Sequence, residues 1–219
     1  MTNTIAPVSV GSFIAEVGVE TPQAADIMIG IGLQKDSDAV YFRYEGDDKK
    51  TALVHPSGKP VTRIGNVYLT GLTIADNVYA DSGFQGDKLN VLLETQNGTS
   101  VMLTAGLTTM WSQCILTAFQ GLADDDCLTH LISVDSWIGT SKMRPCFAAV
   151  RDGQRKVTSN VMYQALADAR SDRDKVKTEA LLRDAVECIN SLVTGGDVQP
   201  AVVMDLDSAE SSEVDSTSF

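Results

Sequence analysis

The chain has 219 residues, 43% of them hydrophobic and 21% charged, an ordinary globular balance that supports one generous domain or two small ones. Its formal net charge of −12 rules out attraction to nucleic acid by total charge, so the placement of the cations becomes the informative quantity. No apolar run approaches the roughly 18 residues of a membrane span, and MTNTIAPVSVGSF lacks the basic and apolar segments of a secretory leader, so the expectation is an intracellular, cytoplasmic protein.

In chain order, VSVGSFIAEVGV alternates apolar and small residues and is expected to form strand, broken by Gly11 and Gly18. Thr21-Pro22 suits the start of a short helix. IMIGIGL is short and glycine-containing, which favours a buried strand. AVYFRYEGDDKKTALVHP predicts a hairpin with strands at 39–44 and 50–54 and a turn over 45–48. Pro56, Gly58 and Pro60 mark the next loop. Two strands are expected at 61–69 and 71–80. In LNVLLETQNGTSVMLTAG, Asn97-Gly98 sits between two β-rich runs, the signal of a type I′ hairpin turn with positive φ at both positions.

The period then changes. In residues 107–122, Trp111, Ile115, Leu116, Phe119 and Leu122 fall at helical spacing, with Thr108 as the expected N-cap and Gly121 near the end. ADDDCLTH is a polar break, LISVDSWIG a strand, and PCFAAVRDGQRKV a strand, an Asp152-Gly153 turn and a return. NVMYQALADAR predicts a short helix. A longer helix should follow, opened by a Ser171/Asp174 capping box and closed by Gly195-Gly196. Its expected apolar stripe is Val176, Leu181, Leu182, Ala185, Ile189, Leu192 and Val193. The expected class is α+β: an antiparallel β-rich body with one inserted helix, then C-terminal helices, all in one domain over 1–200, and a disordered acidic tail over 201–219.

Catalytic signatures fail quickly. There is no GxxxxGK[ST] loop and no GxSxG elbow, and Gly30-Ile31-Gly32 lacks the third glycine and the βαβ setting of a dinucleotide site. Asp124, Asp125 and Asp126 with His130 offer metal-ligand types, but three adjacent carboxylates point in different directions from a helix or a strand, so a solvated loop is expected there rather than a metal centre. Cys114, Cys127, Cys146 and Cys188 form no CxxC pair, and only His55 and His130 accompany them. They are expected to be reduced core thiols, with no zinc ligand set. Neither a cofactor nor a metal is expected, and the chain is read as a non-enzyme.

The cations are clustered. Residues 141–156 hold Lys142, Arg144, Arg151, Arg155 and Lys156 against Asp152, a net +4, with Phe147 inside and Trp137 just before. A second group sets Arg43 among Tyr41, Phe42 and Tyr44, followed by Lys49 and Lys50, and continues to Lys59 and Arg63. Single-strand binding needs this mixture, because cations track phosphates while aromatic faces stack with bases at about 1–3 kcal/mol each. The expected phosphate contacts are the five cations of 141–156, with Arg43, Lys49 and Lys50 as a second track. Trp137, Phe147, Tyr41 and Tyr44 are the stacking candidates. Against this stands the ordinary role of strand aromatics as core and of hairpin Lys/Arg as edge protection.

The chain ends DLDSAESSEVDSTSF, with Asp205, Asp207, Glu210, Glu213 and Asp215, no base, and Phe219 last. Such a segment cannot offset its ordering entropy by burial. It resembles the acidic tail of bacterial and phage single-stranded DNA-binding proteins, which closes on a hydrophobic residue and recruits partners, although Ser218-Phe219 replaces the Pro-Phe-like close of the bacterial family. In length, β-rich body, helical C-terminal part and tail, the chain is similar to divergent phage single-stranded DNA-binding proteins, including the Drc-like cofactors of a phage RNA polymerase. The resemblance implies single-stranded DNA as ligand, a homo-oligomer, and a phage polymerase or replication protein recruited through the five acids and Phe219. The rival expectation is a viral structural or assembly protein that oligomerises without nucleic acid.

Overall fold

The computed structural model describes residues 25–33, 37–45, 49–75 and 86–195. The strands expected before residue 20, the Thr21-Pro22 helix start and the acidic tail lie outside them. Among the described residues, nine strands form one sheet and three helices pack on it, which is the expected α+β class.

The strands are β1 (Ile27–Ile31), β2 (Tyr41–Glu45), β3 (Lys49–Ala52), β4 (Arg63–Ala75), β5 (Lys88–Thr95), β6 (Ser100–Gly106), β7 (Ile132–Ile138), β8 (Cys146–Asp152) and β9 (Arg155–Val157). The helices are α1 (Met110–Asp124), α2 (Asn160–Ser171) and α3 (Lys175–Val193). The sheet order is β3-β2-β1-β6-β5-β4-β7-β8-β9. Every pairing is antiparallel except β1 with β6.

The hairpins follow local turn chemistry. β2 and β3 pair from Glu45–Lys49 outward, as expected. The β5–β6 turn differs in type: Gly98 has φ +78°, Asn97 is not among the positive-φ residues, and Gly98 N–H donates to the Thr95 carbonyl at 2.9 Å. That is a turn closed by one left-handed glycine, so only Gly98 carries the conformational demand.

Two expected strands prove to be one. β4 runs 13 residues and carries two register shifts, at Gly65/Val67 against β7 and at Leu69/Gly71 against β5. Asn66 takes φ +57° at the first. Bulges bend a strand without ending it, so the N-terminal part of β4 serves β7 while the rest serves β5. At the second bulge, the Leu72 N–H donates to Asn190 Oδ1 of α3 at 3.0 Å.

The sheet curls enough for β2 to meet β7. The Tyr41 hydroxyl donates to Ser136 Oγ at 2.7 Å, and Trp111 Nε1 of α1 donates to the same oxygen at 2.9 Å. Leu53 N–H to Tyr41 O, Val61 N–H to Leu53 O, and Ser136 N–H to Thr62 O carry backbone bonding between these strands. The core fills the curl: Leu72, Leu89, Val91, Leu93 and Leu103 meet Trp111, Ile115, Phe119 and Leu122 of α1 and Leu182 and Ile189 of α3.

The α1 cap is Thr109, whose side chain accepts from the Ser112 N–H, one residue beyond expectation. Asp174, not Ser171, caps α3 and accepts from Lys177 N–H at 2.8 Å; Ser171 closes α2. In α3, Leu182, Ala185 and Ile189 face the core, whereas Val176 is 81% exposed and Leu192 is also exposed, so the stripe is narrower than expected. Thr194 forms the C-cap, and Gly195 follows at φ +71°. Cys114, Cys127 and Cys146 are half-buried and pack against the core, whereas Cys188 is exposed, which corrects the assignment of that one as a core thiol.

Gly121 of α1 lies against the β9–α2 junction. A Cβ there would meet the Thr158 carbonyl carbon at 2.6 Å and Ser159 N at 2.8 Å. These are backbone atoms, and Ser159 N–H is held by Thr117 O at 2.9 Å. Gly121→Ala is therefore expected to cost about 1–3 kcal/mol by overpacking, despite Ala's better helix propensity. Urea unfolding checks this; an unchanged midpoint would show that the junction yields.

Candidate nucleic-acid interface

β7 alternates cleanly. Ile132, Val134 and Ser136 are buried, which turns Ser133, Asp135 and Trp137 to the opposite face. Register carries this outer face across the sheet: Trp137 opposes Phe147, Asp135 opposes Arg63 and Ala149, and Ser133 opposes Arg151, which opposes Lys156. Trp137 and Phe147 stack with centroids 5.9 Å apart and planes at 20°. Trp137 remains 43% exposed. One outer face thus holds a stacked aromatic pair, two arginines on a single carboxylate, and Lys156 opposite Arg151.

That carboxylate is Asp135. Arg63 Nε and Nη2 donate to its two oxygens, at 2.5 and 3.0 Å, and Arg151 Nε donates to Oδ2 at 2.8 Å. The Arg63 hydrogen bond chiefly holds the Asp135 carboxyl below the ordinary carboxylate range; burial opposes this and Arg151 reinforces it. Arg144 pairs with Asp38 at 2.6 Å. Arg155 pairs with Asp125 at 2.6 Å and Asp152 at 3.4 Å. The net +4 seen along 141–156 is thus largely answered by acids from elsewhere in the chain. The Arg144–Asp38 and Arg155–Asp125 pairs are exposed, and such pairs are each worth only about 0–1 kcal/mol, so a phosphate can replace the carboxylate there at small cost; Asp135 is more enclosed and shared by two guanidiniums. Lys142 and Lys156 are exposed.

A cleft of about 530 Å³ adjoins this face. β9 pairs with Val150–Asp152 only, so the Phe147–Ala149 stretch of β8 opens toward the helices instead. The cleft joins Trp137, Phe147 and Lys156 to Gln113 of α1 and to Tyr163 and Arg170 of α2. Tyr163 is 57% exposed. Arg170 contacts the Leu166 carbonyl and Met110 sulfur rather than a carboxylate. Gln113 Nε2 donates to Thr108 O at 3.0 Å, while Gln113 Oε1 is buried with no hydrogen-bond partner. A buried acceptor without a partner carries a penalty that a ligand N–H or a water relieves.

The structure brings together four of the expected site residues, Trp137, Phe147, Arg151 and Lys156, and adds Arg63, which the sequence groups with the other hairpin. It corrects one assignment. Tyr41 is 0% exposed, its phenol pKa pushed up chiefly by burial and its hydroxyl committed to Ser136, so it is core and offers no face to a base. Phe42 is buried too, packed over Gly30 with Lys50 Nζ 5.0 Å from its ring centroid. Arg43 is exposed. The side chains of Tyr44 and Lys49 lie outside the described residues, as do Asp205, Asp207, Glu210, Glu213, Asp215 and Phe219. Asp124, Asp125 and Asp126 are exposed; Asp124 accepts from Gln120 and Asp125 from Arg155.

Sequence reasoning passed over Tyr163, Arg170 and Gln113. The first was readable: Met162, Leu166 and Ala169 form the buried face of α2, and that i, i+4, i+7 spacing leaves Tyr163 off the core stripe. Gln113 and Arg170 gain meaning only from the packing of α1 beside α2. No family model matches the chain, and no curated protein or solved structure is significantly similar to it.

Proposed function

We propose that the chain is a non-enzymatic protein that binds single-stranded DNA without sequence preference. The observation that carries this reading is the Trp137–Phe147 stack on an outer sheet face that also carries Arg63, Arg151 and Lys156 and is continuous with the Tyr163–Arg170 cleft. Bases stack on the aromatics and the cations follow the phosphates. An open outer sheet face with an adjoining cleft suits unstacked bases; no recognition helix for a duplex groove is required. Arg43 and Lys142 are exposed cations that a longer strand can meet. The acidic tail from Asp205 to Phe219 competes with phosphate for the cations and recruits a protein partner, such as a phage polymerase or replication protein.

Fluorescence anisotropy with a labelled mixed-sequence oligonucleotide tests this. Single strands should bind more tightly than duplex. Four phosphate contacts, through Arg63, Arg151, Lys156 and Arg170, give a log–log salt slope of about −3. Removing 205–219 should tighten binding or leave it unchanged. Absence of binding at low salt, or equal affinity for duplex, would overturn the reading and favour an assembly protein that uses the opened edge of β8 for subunit contact.

A further inference from the structure

Cys127, His130 and Asp152 lie outside the proposed interface and come from two separate elements. Cys127 and His130 sit in the loop between α1 and β7; Asp152 ends β8. Their ligand atoms, a thiol sulfur, an imidazole nitrogen and a carboxylate oxygen, all lie within 4.8 Å of one another. The loop is built to hold this arrangement. Asp126 takes φ +57°, Cys127 N–H donates to Leu122 O at 2.7 Å, and His130 N–H donates to Cys127 O at 3.1 Å. That turn sets Cys127 and His130 beside each other, and His130 Nδ1 meets Asp152 Oδ2 at 3.1 Å.

We propose that Cys127, His130 and Asp152 form a zinc site. A thiolate, an imidazole and a carboxylate make a donor set of mixed softness that suits Zn²⁺ over Mg²⁺ or Ca²⁺, and three protein ligands leave the fourth tetrahedral position to water. The groups are partly exposed, which provides an entry path. Arg155 contacts Asp152 and Asp125 from outside the trio and orients the carboxylate, as outer partners of metal ligands do. Binding converts the Cys127 thiol to a thiolate and releases its proton to solvent. The ion clips the α1–β7 loop to the β8–β9 turn, the hairpin that also carries Arg151 and Lys156. The site stands independently of the single-strand reading.

The test is a Co²⁺ titration of the full chain after chelator dialysis under reducing conditions, followed by displacement with Zn²⁺. The expected result is one equivalent of Co²⁺ with a thiolate-to-metal charge-transfer band in the near ultraviolet, bleached by Zn²⁺. Cys127→Ser should abolish the band. His130→Gln and Asp152→Asn should weaken affinity by more than the roughly 10- to 100-fold typical of losing an outer partner. Cys188→Ser should change nothing. Absence of a thiolate band in the unmodified chain overturns the proposal, and so does a band that survives Cys127→Ser or vanishes with Cys188→Ser.

Discussion

Trp137→Ala is expected to weaken single-strand binding by about 5- to 150-fold, the equivalent of the ~1–3 kcal/mol that one base–aromatic stack contributes. Trp137 carries the largest exposed ring on the outer face of β7, and Phe147 holds one side of it. Truncation removes a stacking platform and frees its neighbour to move, so the Trp137→Ala, Phe147→Ala double variant should lose less than the sum of the two. Trp137→Phe should restore most of the affinity, because stacking needs a π-face and not the indole N–H. The side chain lies outside the core, so folding should shift by no more than about the 0.5–1.5 kcal/mol an aromatic pair is worth. Tyr41→Phe serves as the contrast: with Tyr41 buried, binding should stay unchanged. Equal affinities for Trp137→Ala and the unmodified chain would remove the aromatic pair from the site.

Ser136→Ala should destabilise the fold by on the order of 3 kcal/mol. Ser136 is 1% exposed, and its hydroxyl oxygen accepts from both Tyr41 and Trp111. Losing it leaves the Trp111 N–H without this acceptor in the core and reduces the Tyr41 hydroxyl to a long 3.3 Å contact with Val134 O. Each orphaned buried group costs about 1–3 kcal/mol. Tyr41→Phe removes one donor and leaves Ser136 bonded to Trp111, so its cost should be clearly smaller, near 1 kcal/mol. Urea denaturation of the two variants separates these cases; a Ser136→Ala loss no larger than that of Tyr41→Phe would mean that the oxygen does not join β2, β7 and α1.

Elements governed by near neighbours were legible before any coordinates. The β2–β3, β5–β6 and β8–β9 hairpins each depend on a short polar turn between apolar runs, and α1 announces itself by apolar spacing. What escaped is what distant segments supply. Counting charge along 141–156 cannot see Asp38, which meets Arg144 across 106 positions of chain. Nor can it see that Asp135 draws Arg63 and Arg151 to one carboxylate. The expected break near residue 70 became a bulge because Asn190, on a helix 118 residues later, accepts the Leu72 N–H. Nor could the sequence show that Tyr41 and Phe42, neighbours on opposite faces of β2, are both buried while Arg43 stays exposed. The Cys127, His130 and Asp152 cluster joins a loop to a distant hairpin: Cys127 and His130 are near neighbours in sequence, but nothing in the sequence places Asp152 beside them.

The parallel pairing of β1 with β6 sets an order on biosynthesis. Ile27 of β1 pairs with Val101 of β6, and at roughly 5–20 residues per second the ribosome needs about 4–15 s to make the intervening chain. Throughout that interval β1 can complete its local meander with β2 and β3 while its other edge stays open. An open edge is a template for the wrong strand, so a nascent chain paused before residue 100 is the form most exposed to misassociation, and emergence of β6 ends that exposure.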